Sequence, residues 1–370
     1  MSKPRHRWFW AVSLLVLMWL ISGLWQIYKP LPEGLDFTGP WRSAEAVRFY
    51  SDQTFINAKG VRQSEQAIFD TALEMIRGAR QLIVLDMFLF NEFGASTTDV
   101  LRPLSDELSV ALIAQKHAHK ALRVIVITDP INRVYGGLKA SHLARMRAAG
   151  IDVVETDLTA LRASNALWSG LWSLCCQWFG NNDDGGWLPN PLGEGQVTLR
   201  SWLALPNFRA NHRKTLIVDA DQTWQALVTS ANPHDASSAH GNVALQFSGA
   251  AVLDLMASEA AVLAFSGGRA LSLPEASLPK TPTESRLRVL TESAISRALI
   301  ARVDHAKSGE MIDMAVFYLA SKKLKLALIA ARQRGVRVRV LLDPNEDAFG
   351  RKKNGVPNRQ MAAELIAAGI

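Results

Sequence analysis

Residues 81–92 read QLIVLDMFLFNE, and residues 310–321 read EMIDMAVFYLAS. Each is an apolar run of β-forming residues with an acidic residue inside it, Asp86 or Asp313, and each reads as a buried strand. What lies downstream is alike as well. VALIAQKHAHKALRVIVITDP ends at Pro130 and LALIAARQRGVRVRVLLDP at Pro344, each a helical stretch followed by a parallel-type strand. MRAAGIDVV from Met146 then matches LIAAGI, Leu365 to Ile370. Three matched blocks in the same order mark an internal duplication. Upstream, Ile68, Ala72, Leu73 and Ile76 in one copy, and Ile295, Leu299 and Val303 in the other, repeat at helical spacing. Helices alternating with apolar strands predict an α/β fold of two similar halves, with sheets covered on both faces.

The N-terminus has a different character. From Trp8 to Tyr28 the chain is uncharged and apolar over 21 residues, enough as a helix to cross a hydrocarbon core of roughly 30 Å. Lys3, Arg5 and Arg7 precede it, and Trp8, Trp10, Trp25 and Tyr28 sit near its ends as interfacial anchors do. A cleaved signal peptide is the rival reading, but its apolar stretch is usually shorter and ends in small residues, whereas this one runs into LWQIYKP. Lys29, Pro30 and Pro32 end the helix. The expected organisation is an anchor and tether over 1–43, a first half over 44–266, a linker over 267–285 containing Pro274, Pro279 and Pro282, and an incomplete second half over 286–370.

A chain of 370 residues has room for two cores, and its net charge of +7 suits anionic partners without choosing among lipid, nucleic acid and phosphate. Cys175 and Cys176 are neighbours, closer across a peptide than an ordinary disulfide prefers, so no structural disulfide is expected between them.

The chemistry concentrates in NHRKTLIVDADQTWQALVTSANPHDASSAHGN, residues 211–242. His212, Lys214 and Asp219 fill H-x-K-x-x-x-x-D, and Ser230 and Asn232 follow in Thr-Ser-Ala-Asn. On a strand His212 and Lys214 face the same way, with Leu216 and Val218 continuing that face into the core. A neutral imidazole can attack phosphorus, and a cation beside the non-bridging oxygens offsets charge building in the transition state. Ser230 and Asn232 add donors, and Asp219, at the strand's end, suits a structural acceptor better than a catalytic acid.

This motif resembles the signature of the phospholipase D superfamily, with Thr229 where the family usually has glycine. The resemblance implies a two-step reaction through a phosphohistidine, with His212 as nucleophile, Lys214 binding phosphate, a partner histidine from the other half protonating the leaving alcohol, and no metal or other cofactor. Asn242 is a further candidate substrate contact, although Ala244 stands where relatives place an acid. In the second half the Ala-Ala-Gly-Ile block is the last thing present, so the partner histidine is expected to be missing, unless two copies pair as single-motif relatives do.

Rival sites are weaker. His234, Asp235 and His240 with His212 suggest a metallohydrolase only loosely, since no close pair such as H-x-x-x-H is present. Ser230 lacks a G-x-S-x-G elbow. Between the first Ala-Ala-Gly-Ile block and His212 lies ALWSGLWSLCCQWFGNNDDGGWLP, too short to span a bilayer. Its Trp168, Leu171, Trp172 and Leu174 can dip into a membrane interface, shape a lipid channel or form a local core. The leading expectation is hydrolysis or phosphatidyl transfer on a glycerophospholipid, resembling bacterial cardiolipin synthases. Its partners would be phospholipid, the membrane and a second copy of the chain, with the globular part outside a bacterial inner membrane. An endonuclease of the same superfamily and a non-catalytic membrane protein are the alternatives, and nucleic acid is the less favoured partner.

Overall fold

The computed structural model describes residues 4–93, 100–220, 223–272, 285–344, 347–348, 351–352 and 354–370, and of residues 4–6, 347–348 and 351–352 the backbone alone. Most of the expected linker, residues 273–284 with its three prolines, lies outside the described residues. The chain divides into two units, Met1–Leu35 with Trp41–Arg288, and Asp36–Pro40 with Val289–Ile370.

The first unit opens with helix α1, Pro4–Tyr28. Its core is one mixed sheet of eight strands: β1 Glu45–Ile56, β2 Arg62–Glu65, β3 Leu82–Met87, β4 Arg123–Thr128, β5 Asp152–Glu155, β6 Lys214–Ala220, β7 Thr223–Thr229 and β8 Asn242–Ser248. They lie side by side in the order β2-β1-β8-β7-β6-β3-β4-β5. Strands β3, β4 and β5 are parallel, joined by α3, Leu104–Ala118, and α4, Ser141–Ala148. The others pair antiparallel. All six residues of β3 are buried, as the continuous apolar run predicts for a strand covered on both faces. On one face, α2, Ile68–Gly78, packs with α3 and α4 over Leu85, Val126, Leu216 and Val218. The other face meets α7, Ala250–Phe265, to which Arg213 and Thr215 reach. Alternation along β6 thus sends even-numbered residues toward α2 and odd-numbered ones toward α7.

The tryptophan-rich segment forms α5, Ala166–Cys175, capped by the Asn165 side chain, and α6, Leu199–Ala204, capped by Thr198. Helix α5 lies along α1 at very close range. A Cβ on Gly170 would stand 2.7 Å from the Gly23 nitrogen, so only glycine permits the approach. Ser22 Oγ bonds Gly170 O at 3.1 Å and Ser173 Oγ at 2.7 Å, and Trp19 Nε1 donates to Leu167 O at 2.6 Å. The inward face of α5 carries Trp172, whereas Leu167, Leu171 and Leu174 are exposed, so leucines rather than the tryptophan pair form its outer apolar stripe. The two cysteines overturn the expectation from spacing. Cys176 leaves helical geometry at φ −130°, ψ −19°, the two thiols meet, and they are joined in a disulfide.

The second unit has α8, Ser293–Asp304; β9, Met311–Val316; α9, Lys322–Gln333; β10, Arg337–Leu342; and α10, Asn358–Ala367. Strands β9 and β10 are parallel, as β3 and β4 are. One strand expectation fails here. β9 alternates, with Met311, Asp313 and Ala315 exposed, because its helices cover one face only through Leu328, Val338 and Leu365. Asp313 accordingly pairs at the surface with Arg339.

The duplication reappears in the hydrogen bonds. Asn132 accepts from Phe90 N and donates to Phe88 O and Asp129 O; Asn358 accepts from Leu319 N and donates to Phe317 O and Asp343 O. One asparagine thus ties the exits of both parallel strands in each unit. Counting from these anchors, Asp86 corresponds to Ala315 and Asp313 to Val84, so the two acids are not equivalent.

Candidate active site

Strand direction gathers the motif at one end of the sheet. β3 and β7 end there, and β6 and β8, antiparallel to them, begin there. Lys214 is the first residue of β6, paired with Met87, the last of β3. His212 sits just before the strand rather than within it, since the ladder opens at Lys214. The pair still converges: Lys214 Nζ is 3.5 Å from His212 Nδ1 and donates to His212 O at 3.1 Å. Phe88 backs both, its ring centroid 4.6 Å from that of His212 and 5.2 Å from Nζ. One edge of His212 faces solvent. Burial of the rest of the ring, and then repulsion from Lys214, lower its pKa to about 4. Burial lowers Lys214 to about 8, against the opposing pull of Asp86. At neutral pH the site therefore holds a neutral imidazole beside an ammonium.

Ser230 and Asn242 meet directly, Oγ to Oδ1 at 2.9 Å, where β7 ends and β8 begins. Asn232 Oδ1 accepts from Leu89 N at 3.1 Å, next to Phe88. Thr229, at the family's glycine position, uses its Oγ1 to accept from Ala231 N and donate to Val243 O. Ala244 is buried in the core, so no acid enters at that position. Asp219 is five residues down β6, about 17 Å from Lys214 at strand rise. There its carboxylate accepts from the backbone N–H groups of Arg80, Gln81 and Leu82 and fixes the start of β3.

His234 and Asp235 serve the scaffold. His234 contacts Ser237 Oγ and Phe93 O, and Asp235 accepts from Ser105 N in the first turn of α3. Among the described residues no cluster of three His, Cys, Asp or Glu side chains can hold a metal ion. His305 and Lys307 also read H-x-K, but they follow the end of α8, where His305 Nδ1 lies 2.6 Å from Ala301 O.

Behind His212 is a polar network whose roles the motif did not disclose. Asn211 N donates to Asp129 Oδ2, and Asn211 Nδ2 donates to both oxygens of Asp86, at 2.9 and 2.8 Å. Arg213 donates to Ser258 Oγ and pairs with fully buried Glu259 at 3.4 Å, and Thr215 Oγ1 donates to Glu259 at 2.9 Å. The residues flanking His212 are therefore held on the α7 side while His212 faces the other way. Burial, then the Glu259 carboxylate, push Asp86 well above the usual carboxylate range. A hydrogen bond shared with Glu259 favours the protonated form of Asp86 further, and Glu259 Oε2 finds no other donor among the described groups. Burial likewise raises Asp129 to about 7. The signal was present: polar residues at 211 and 213 alternate with the motif, and Asp254, Ser258 and Glu259 are the polar residues of an otherwise apolar helix.

Residues 299–370 match the sequence family described as "Cardiolipin synthase, PLD-like domain". No curated protein matches the chain. Among solved structures, polyphosphate kinase from Porphyromonas gingivalis is similar at 14% identity and TM-score 0.38, over 80% of this chain and 37% of its own length. Nuc, a phospholipase D family member from Salmonella typhimurium, is similar at 13% and 0.31, over 61% of this chain and 97% of its own. Phosphatidylserine synthase from Haemophilus influenzae is similar at 11% and 0.44, over 85% and 65%. The matched residues 299–370 are thus similar to a phospholipase D-like domain, the family that the motif around His212 resembles.

Proposed function

We propose that His212 and Lys214 carry phospholipase D-type phosphodiester chemistry on a glycerophospholipid, by hydrolysis or by phosphatidyl transfer of the cardiolipin synthase kind. The observation that carries this is the neutral imidazole held 3.5 Å from a buried ammonium at the sheet end where Ser230, Asn232 and Asn242 also gather. In the first step a His212 nitrogen forms a bond to phosphorus as the bond to the leaving alcohol breaks, and that alcohol takes a proton from a second imidazole. Lys214 offsets the charge on the non-bridging oxygens. Water or an acceptor alcohol then gives its proton to the second imidazole and displaces His212. A second copy of the chain is the proposed source of that imidazole.

A lipid substrate is favoured over nucleic acid by the helix Arg7–Tyr28, of mean hydropathy 1.8 and long enough to cross a membrane, and by the leucine stripe of α5 beside it. The basic residues before that helix favour the globular part on the outer side of a bacterial inner membrane. The test is incubation of membrane-embedded protein with labelled phosphatidylglycerol. Conversion should be abolished by His212→Ala and reduced at least about a hundredfold by Lys214→Ala. Cardiolipin as product means transfer and phosphatidic acid means hydrolysis. Turnover that survives His212→Ala would overturn the assignment.

A further inference from the structure

A cavity of about 390 Å³ opens beside α5 and α6, within the size range of small-ligand sites, and its wall includes Arg133, Tyr135, Trp172, Arg200, Asn207 and Arg209. Arg209 is 7% exposed. It donates to Gln26 Oε1 at 2.5 Å and to Leu158 O at 3.4 Å, while its Nε has no partner. Lys29, also buried, donates to the same Gln26 oxygen and to Thr159 O. Arg200 lies over the Trp172 ring at 4.7 Å and donates to the carbonyls of Cys176 and Gln177. Among the described residues none of these three cations forms an ion pair with a carboxylate. The acids on the wall are engaged elsewhere: Glu155 lies between Arg133 and Arg147, and Asp157 Oδ1 accepts from the amide and hydroxyl of Thr159.

Asp157 attracts Lys29 and Arg209 through space but bonds to neither, and Arg200 is half-buried; cations held out of water without a bonded counter-charge are costly, and an anion offsets that cost. From the unpaired Arg209 and Arg200 on the cavity wall, we propose that this cavity is a phosphate-binding site, distinct from the His212–Lys214 pair. Guanidinium groups bind phosphate through parallel N–H donors, and the cavity wall carries three of them, on Arg133, Arg200 and Arg209. The cavity adjoins the C-terminal end of α1 through the Arg209–Gln26 bond, which is where the headgroup of a lipid would lie if α1 spans a bilayer. Occupancy by a lipid headgroup rests on the lipid reading above; the phosphate chemistry does not.

The test uses the full chain in detergent micelles carrying His212→Ala, so that loss of the catalytic reading leaves it intact. Inorganic phosphate and dihexanoyl phosphatidylglycerol are titrated separately by calorimetry. Arg209→Met should weaken binding by about tenfold or more, the loss expected for a charged hydrogen bond, and Arg200→Met by a smaller factor. Binding of inorganic phosphate with this dependence identifies the phosphate group itself as the ligand. The same dependence for the lipid alone identifies a headgroup. If Arg209→Met does not fold, as judged by its melting transition, Arg200→Met decides. Absence of binding by both probes, or affinities unchanged in the folded variants, overturns the proposal.

Discussion

At the scale of single residues, the site is governed by which buried groups keep a proton. Lys214 titrates near 8 because burial disfavours its charge, so the cation needed for phosphate is present below that pH and lost above it. The expected outcome is a kcat/KM profile that falls on the alkaline side from about pH 8. Lys214→Arg should retain little activity but move that limb upward, since a guanidinium stays charged. Asp86 gives a stability test. Its folded-state pKa is raised, so its contribution is full below the unfolded value of about 4 and is lost as pH rises through the folded value. Asp86→Asn keeps an acceptor for Asn211 and offers an N–H to Glu259 without carrying a titrating proton. It should match the wild type near pH 4 and become the more stable of the two as pH rises, measured by urea denaturation. Asp86→Ala leaves Asn211 and Glu259 unsatisfied and should cost about 1–3 kcal/mol.

At the scale of elements, the decisive contact is α1 against α5. The atoms that a Cβ on Gly170 would meet are backbone, the nitrogen and Cα of Gly23 and the carbonyl of Trp19, and none can swing aside. Gly170→Leu should therefore separate the helices, at a cost of about 1–3 kcal/mol, and expose the following loop to limited proteolysis. Gly78→Ala, where an added Cβ meets nothing, should change stability by no more than about 0.5 kcal/mol. This contact also shows what the sequence made legible and what it did not. The strands β3, β4, β9 and β10 and their helices were readable from local periodicity and the repeat, though the exposed face of β9 was not, and Asn132 and Asn358 could have been added from the repeat. The antiparallel strands β1 and β2 were not readable, since residues such as Arg48, Asp52 and Arg62 give no apolar run. Nor was the inward turn of Trp172, the meeting of Cys175 with Cys176, or the gathering of Arg209 with Gln26 and Lys29. Each depends on contacts between segments over 100 residues apart or on one backbone angle.

At the scale of the whole molecule, two elements with exposed apolar faces, α1 and α5, have different means of insertion. Among the described residues helix α1 alone is long and apolar enough to cross a bilayer, and its outward residues from Trp8 to Tyr28 are largely exposed. Helix α5 has 10 residues, too few to cross, yet Leu167, Leu171 and Leu174 are exposed and continue into exposed Trp178 and Phe179. If α1 were the sole source of membrane affinity, a chain starting at Lys29 would be freely soluble. Two effects act against that outcome. The leucine stripe remains, and the face of α5 that Gly23 and Ser22 had covered is uncovered. The expected result is that the shortened chain still sediments with phosphatidylglycerol vesicles, and that Leu171→Lys with Leu174→Lys releases it while the longer chain carrying the same changes stays bound through α1. A shortened chain that is monodisperse in buffer without detergent and ignores vesicles would show that the α5 stripe has no membrane role, leaving α1 as the whole of the anchor.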